Sequence, residues 1–175
     1  MPASLRLLPL CLLACAAQAA PEPEAVPLYR EIKDWVVACD NGRRCQAVSA
    51  RESDYSPLRL LLSRDAGPDG RLQLRLVYAG QSQYFPLLLD ERLLPEPLTN
   101  ALRLLPDDNE LVLEAEGLAA RRLLSELRNG NRLRMGMDGD DEAVVSLSGL
   151  SAALLLMDSV QGRLDSRTAH YRPGT

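Results

Sequence analysis

The chain is poor in the side chains that most enzymes rely on. Histidine occurs once, as His170, and lysine once, as Lys33; there is one tryptophan, one phenylalanine and five tyrosines. A single histidine leaves little for imidazole proton transfer or a nitrogen-rich metal centre. Its position near the end of the chain marks it as a surface residue on a fraying terminus. So few aromatics speak against a sugar cleft, which uses several stacking platforms. Lys33 stands in no S-x-x-K pattern, no G-x-S-x-G elbow occurs, and no glycine-rich phosphate loop is present. Ser148-Gly149 reads as the start of a helix instead of a nucleophile turn.

Positive charge is also in short supply. The net charge is −4, which excludes nucleic acid as an expected partner, since such binders carry a basic face. Every basic residue but Lys33 is arginine, a bias that a GC-rich genome explains without a recognition role.

What the sequence does have, first, is an export signal. MPASLR carries one positive charge, Arg6; LLPLCLLACAA is apolar but too short to span a bilayer; Ala17-Gln18-Ala19 supplies the small residues of a cleavage site. Residues 1–19 are therefore expected to be a signal peptide. Leu12-Leu13-Ala14-Cys15 also resembles a lipobox, which would lipidate Cys15, but Leu13 and the short apolar run fit one less well than cleavage after Ala19. No later segment reaches the roughly 18 apolar residues of a membrane helix, so no transmembrane segment is expected. Residues 20–31, rich in Pro, Glu and Ala, read as a flexible tether. A single domain is expected over residues 32–172, ample for one core.

With Cys11 and Cys15 inside the signal, Cys39 and Cys45 are the remaining cysteines. An isolated pair in an oxidising compartment is most simply a disulfide. Zinc would need about four ligands, and only His170 could add a nitrogen; a thioredoxin-like centre would have two residues between its cysteines, not five. Neither a metal nor a cofactor is expected. Trp35, Val37 and Cys39 alternate on one strand face, as do Cys45, Ala47 and Ser49 on the next. Asn41-Gly42 is a hairpin signal, yet a two-residue turn there would set Cys39 opposite Arg44. Pairing the cysteines therefore requires a wider loop or a bulge.

Ser56–Arg64 and Arg71–Tyr78 read as strands. Matching Leu58, Leu60 and Leu62 with Leu72, Leu74 and Leu76 needs an odd-length loop or a bulge. Gln83–Asp90 holds a short strand that Pro86 assigns to an edge. Leu94–Pro106 contains a short strand near Ala101–Leu104, and Glu110–Glu114 another. Gly117–Asn129 shifts to helical period, with Gly130 as its stop. Arg132–Met137 and Ala143–Leu147 form a hairpin around DGDDE. Ser148 would cap a last helix, Leu150–Gln161, stopped by Gly162. The class is α+β: an antiparallel sheet of hairpins with two helices in the C-terminal half, in a single domain.

Two chemical possibilities remain. The acidic turn Asp138–Glu142 lacks calcium-loop spacing and reads as a solvated turn. A glycosidase-type pair could draw on Asp34, Asp40, Asp90, Glu91, Asp107, Asp108 or Glu110, since such dyads come from distant positions.

Two blocks carry a resemblance: Asp34-Trp35-Val36-Val37-Ala38-Cys39-Asp40-Asn41 through Arg44-Cys45-Gln46-Ala47, and Leu147-Ser148-Gly149-Leu150-Ser151-Ala152-Ala153-Leu154 through Met157-Asp158 to Gln161-Gly162-Arg163. On these the chain resembles bacterial envelope proteins grouped as domain of unknown function 1176, and more distantly it is similar to the invasion-associated locus B family. The likeness runs from about Ile32 to Arg172. Members often continue into a second, cysteine-containing half that this sequence does not include. The resemblance implies a secreted envelope protein and no established activity. The expected function is a non-enzymatic periplasmic module that binds an envelope protein or polymer. The alternatives are a small carboxylate-dependent hydrolase and an inhibitor of a lysozyme-like enzyme.

Overall fold

Alternation decides the main layer. In the computed structural model, which describes residues 24–50, 56–79, 86–107, 109–136, 143–164 and 166–170, every second side chain of the central strands is buried. The strands are β1 (Leu28–Ile32), β2 (Trp35–Cys39), β3 (Cys45–Ser49), β4 (Leu58–Arg64), β5 (Leu72–Ala79), β6 (Leu87–Leu89), β7 (Arg92–Leu93), β8 (Arg103–Leu105), β9 (Glu110–Glu116), β10 (Arg132–Met135) and β11 (Val144–Ser146). The helices are α1 (Glu96–Thr99), α2 (Gly117–Leu127) and α3 (Leu150–Val160). All pairings are antiparallel. A seven-stranded sheet runs β1-β2-β3-β4-β5-β9-β8 and a four-stranded sheet runs β11-β10-β6-β7. The class is α+β.

Register explains the core. Val37 pairs with Ala47, Ala47 with Leu62, Leu62 with Leu74 and Leu74 with Ala115, so one row of small and branched side chains crosses five strands on one face. The connection from Asp65 to Arg71 has an odd number of residues, which puts both leucine sets on that face. α3 covers β2 and β3, α2 covers β5 and β9, and β11 of the second sheet meets β4. No helix among the described residues is long and apolar enough to cross a membrane.

Five local expectations are corrected. β6 is not an edge strand: it lies between β10 and β7, because Pro86 precedes the ladder and only its carbonyl takes part, accepting from Gly136 N–H at 3.0 Å. Ser148 does not cap α3. The residue before the helix is Gly149, at φ 97°, and a Cβ there would stand 2.5 Å from the Ile32 carbonyl oxygen. The segment expected as tether is ordered from Leu28 as β1, whose Leu28 and Ile32 pack on the core. Within Leu94–Pro106 the chain forms α1 before β8, which starts two residues later than expected. Gly130, expected as a helix stop, lies beyond the Arg128 cap; its missing Cβ makes room for Leu89, 2.3 Å from where that carbon would sit. Gly162 does follow α3 at φ 63°. The signal peptide with Cys15, the DGDDE turn and Asp108 lie outside the described residues.

Candidate functional site

β4 reads Leu58-Arg59-Leu60-Leu61-Leu62-Ser63-Arg64, and its buried positions are 58, 60, 62 and 64. The period that buries three leucines therefore also drives an arginine into the core, where its side chain is 0% exposed. A buried cation needs partners. Arg64 Nη1 lies 3.6 Å from Asp158 Oδ1 on α3 and 2.7 Å from His170 Nε2, and Nη2 donates to the Thr168 carbonyl at 2.8 Å. The His170 amide donates to Asp158 Oδ2, and Arg128 Nη1 donates to the His170 carbonyl at 2.6 Å. The C-terminal segment is thus pinned to the sheet and to both long helices.

His170 is consequently not the surface residue expected. Because Arg64 is a donor only, Nε2 must accept, which makes the ring neutral with its proton on Nδ1. Burial, then the cations Arg64, Arg121, Arg163 and Arg128, lower its pKa to about 3. Burial and then Arg163 lower Arg64 to about 10, with Asp158 opposing. Arg64 stays charged at neutral pH, and His170 does not.

A second set of bonds joins the two blocks of Sequence analysis. The Cys39–Cys45 disulfide is formed, between residues directly opposite in register with Cα atoms 4.1 Å apart. The parity problem is solved by a wider loop: Asp40 N–H bonds to Arg44 O at 3.0 Å, and Arg43 adopts φ 62° in the left-handed position of a three-residue hairpin. Arg43 Nη1 donates to the Val160 carbonyl at the end of α3, while Gln161 Nε2 donates back to the Arg43 carbonyl at 2.7 Å. At the other end of α3, Asp34 N–H donates to the Ser148 carbonyl at 3.3 Å and Ser146 Oγ donates to Asp34 Oδ2 at 2.6 Å.

Between α2, α3 and the pinned segment lies a hollow of about 370 Å³. Arg121, Ser125 and Arg128 line it from α2, Leu124 and Leu154 supply apolar lining, and Thr168 to His170 close one side. Cationic side chains dominate this corner, with Asp158 as the acid bonded within it.

The carboxylates proposed as a hydrolytic pair are dispersed and engaged locally. Asp40 accepts from Arg44 N–H at 2.9 Å and Asp107 from Glu110 N–H at 3.0 Å; Glu110 pairs with Arg59 at 2.9 Å and Glu91 with Arg134. Asp90 accepts from the Asn131 and Arg132 amides, which hold its carboxyl below the usual range although burial acts the other way. Glu114 is 4% exposed on the outer sheet face between Arg75 and Arg103, each at 2.7 Å. Among the described residues, no group of three or more His, Cys, Asp or Glu side chains could hold a metal ion.

The residues missed from the sequence are Arg64, Arg128, Asp158 and Arg163. Two of them left a trace: Arg64 continues an alternating apolar row, and Asp158 is the acid within LSAALLLMDSV. Arg128 and Arg163 left none, because they converge from separate elements.

Comparison with known proteins adds three findings. Residues 29–175 match the family described as a protein of unknown function (DUF1176). An uncharacterised protein of Escherichia coli strain K12, YpfG, is 32% identical over 161 residues, covering 86% of this chain and 43% of the relative, so the chain spans less than half of that relative's length. No solved structure matches.

Proposed function

The chain belongs to the DUF1176 family of proteins of unknown function, and from that membership we propose that it is a non-enzymatic binding or accessory module of the bacterial cell envelope, exported to the periplasm under the signal peptide of residues 1–19. One observation carries the reading: the titratable side chains nearest to chemistry are spent on holding the fold. His170 is bound through Nε2 to Arg64 and stays neutral, and Asp34, Asp40, Asp90 and Asp107 each accept local hydrogen bonds. General acid–base work needs a group whose proton can leave for substrate near the working pH. The disulfide adds support for the compartment, since such bonds persist where thiols are oxidised.

The test is complementation of a deletion strain combined with crosslinking in the periplasm. Asp34→Asn, Asp40→Asn, Asp108→Asn and His170→Gln should complement whenever abundance is normal, and crosslinking should capture a specific envelope protein or polymer. Loss of function from one carboxylate change at normal abundance and fold would reverse the reading in favour of a hydrolase.

A further inference from the structure

Arg121, Ser125 and Arg128 stand four and three residues apart on α2, so they form one stripe facing the hollow beside α3. Arg122 and Glu126 belong to the neighbouring stripe. Arg121 is exposed, and no partner for its guanidinium exists among the described residues. Arg128 lines the same hollow, and the buried Arg64 and Arg163 lie near His170 behind it. Arg121 and Arg128 line the hollow together with the neutral His170; behind them Arg64 is paired with Asp158, and Arg163, near Asp69, donates to the Asp65 and Gly67 carbonyls. A chain of net charge −4 therefore concentrates cations around a concave space.

Such a surplus is costly where water is partly excluded, and the ligand that relieves it is an oxyanion. The apolar part of the hollow's lining is Leu124, Leu154 and Ala169. Its volume of about 370 Å³ lies at the small end of ligand pockets. We propose that the hollow binds a small organic anion, its oxyanion head paired with Arg121 in the field of Arg128 and its compact apolar part lying over Leu124 and Leu154. The proposal rests on the binding-module reading and names the ligand class of one site on that module. A carboxylate and a phosphate share the head-group chemistry.

The test uses the full exported chain with its disulfide intact, at low ionic strength, titrated separately with hexanoate, acetate and inorganic phosphate and followed by calorimetry and amide chemical shifts. Saturable binding of hexanoate or phosphate is expected, with shifts confined to α2, α3 and Thr168–His170, and weakening with added salt. Arg121→Gln should weaken it about tenfold, the loss of one charge-assisted hydrogen bond. Arg122→Gln, on the next stripe, should leave it unchanged. Hexanoate binding tighter than acetate and phosphate assigns a carboxylate with an apolar body; phosphate binding tightest assigns a phosphate. The proposal is overturned if neither probe saturates, or if Arg121→Gln binds as the parent does. In that event, captured envelope partners would leave the module reading standing, whereas a carboxylate variant that kills function at normal abundance would remove that reading alone.

Discussion

Arg64 Nη1 and His170 Nε2 meet at 2.7 Å, side chain to side chain, across 106 positions of sequence. The histidine is held neutral, with a folded pKa of about 3 against an ordinary 6.5. Below pH 6.5 the unfolded chain binds a proton that the folded chain refuses. This contribution is therefore fully present above about pH 6.5 and is lost as pH falls towards 3. Chemical denaturation between pH 4 and 7 should show up to about 1.4 kcal/mol lost per pH unit from this group. His170→Gln, which keeps an acceptor and cannot titrate, should flatten that slope. An unchanged slope would place the ring in solvent.

The same cluster predicts coupling. Arg64→Met should cost about 3 kcal/mol, because it strips a buried carboxylate of a cation and releases the Thr168 carbonyl. In a double-mutant cycle with Asp158→Asn, the two losses should fall short of additivity by more than about 1 kcal/mol. Additive losses would mean that the two charges do not stabilise each other.

Gly149 should tolerate no side chain. Alanine there would need a left-handed backbone and would press on the Ile32 carbonyl, so Gly149→Ala should lower stability by at least about 2 kcal/mol by thermal or chemical unfolding. Ser148→Ala, by contrast, should cost little, since no side-chain cap is made at that end of α3.

The disulfide closes a small loop, and the chain-entropy estimate for it is about 2 kcal/mol. Cys45→Ser should lose about that much, and non-reducing peptide maps should show Cys39 linked to Cys45. Chelator should leave the melting temperature unchanged; a chelator-sensitive transition would call for a metal.

The proposed signal peptide predicts a mass. Protein extracted from the envelope should begin at Ala20 and carry no lipid. A diacylglyceryl group on Cys15 would instead anchor it to a membrane surface.

Much of the fold was legible because local rules sufficed. LSAALLLMDSVQG gave α3 almost to the residue, and counting positions around Asn41-Gly42 required a wider loop or a bulge, of which the structure takes the loop. The leucine rows of β4 and β5 required an odd-length loop or a bulge, and the structure has the odd loop. Harder were elements whose side chains carry little pattern. β1 is LYREI, an edge strand with its three central residues exposed, so nothing alternates. Pro86 suggested an edge because it lies one residue outside the ladder it was taken to interrupt. The arginine corner was invisible for a different reason. Arg64, Arg121, Arg128, Asp158, Arg163 and His170 come from β4, α2, α3 and the last segment, and only tertiary packing brings them together.

The exchange between Arg43 and the end of α3 sets an order in time. The Cys39–Cys45 hairpin spans six positions and can close as soon as its own residues emerge, whereas the bond from Arg43 to Val160 spans 117. Closing so long a loop is entropically dear, so docking must await the last helix and the sheet that positions it. Until then the apolar faces of β2 and β3, Trp35 and Val37 among them, have no cover from α3. The folding chain therefore has an interval in which its first hairpin is closed but sticky, and the rate at which the C-terminal residues arrive governs how long aggregation competes with folding.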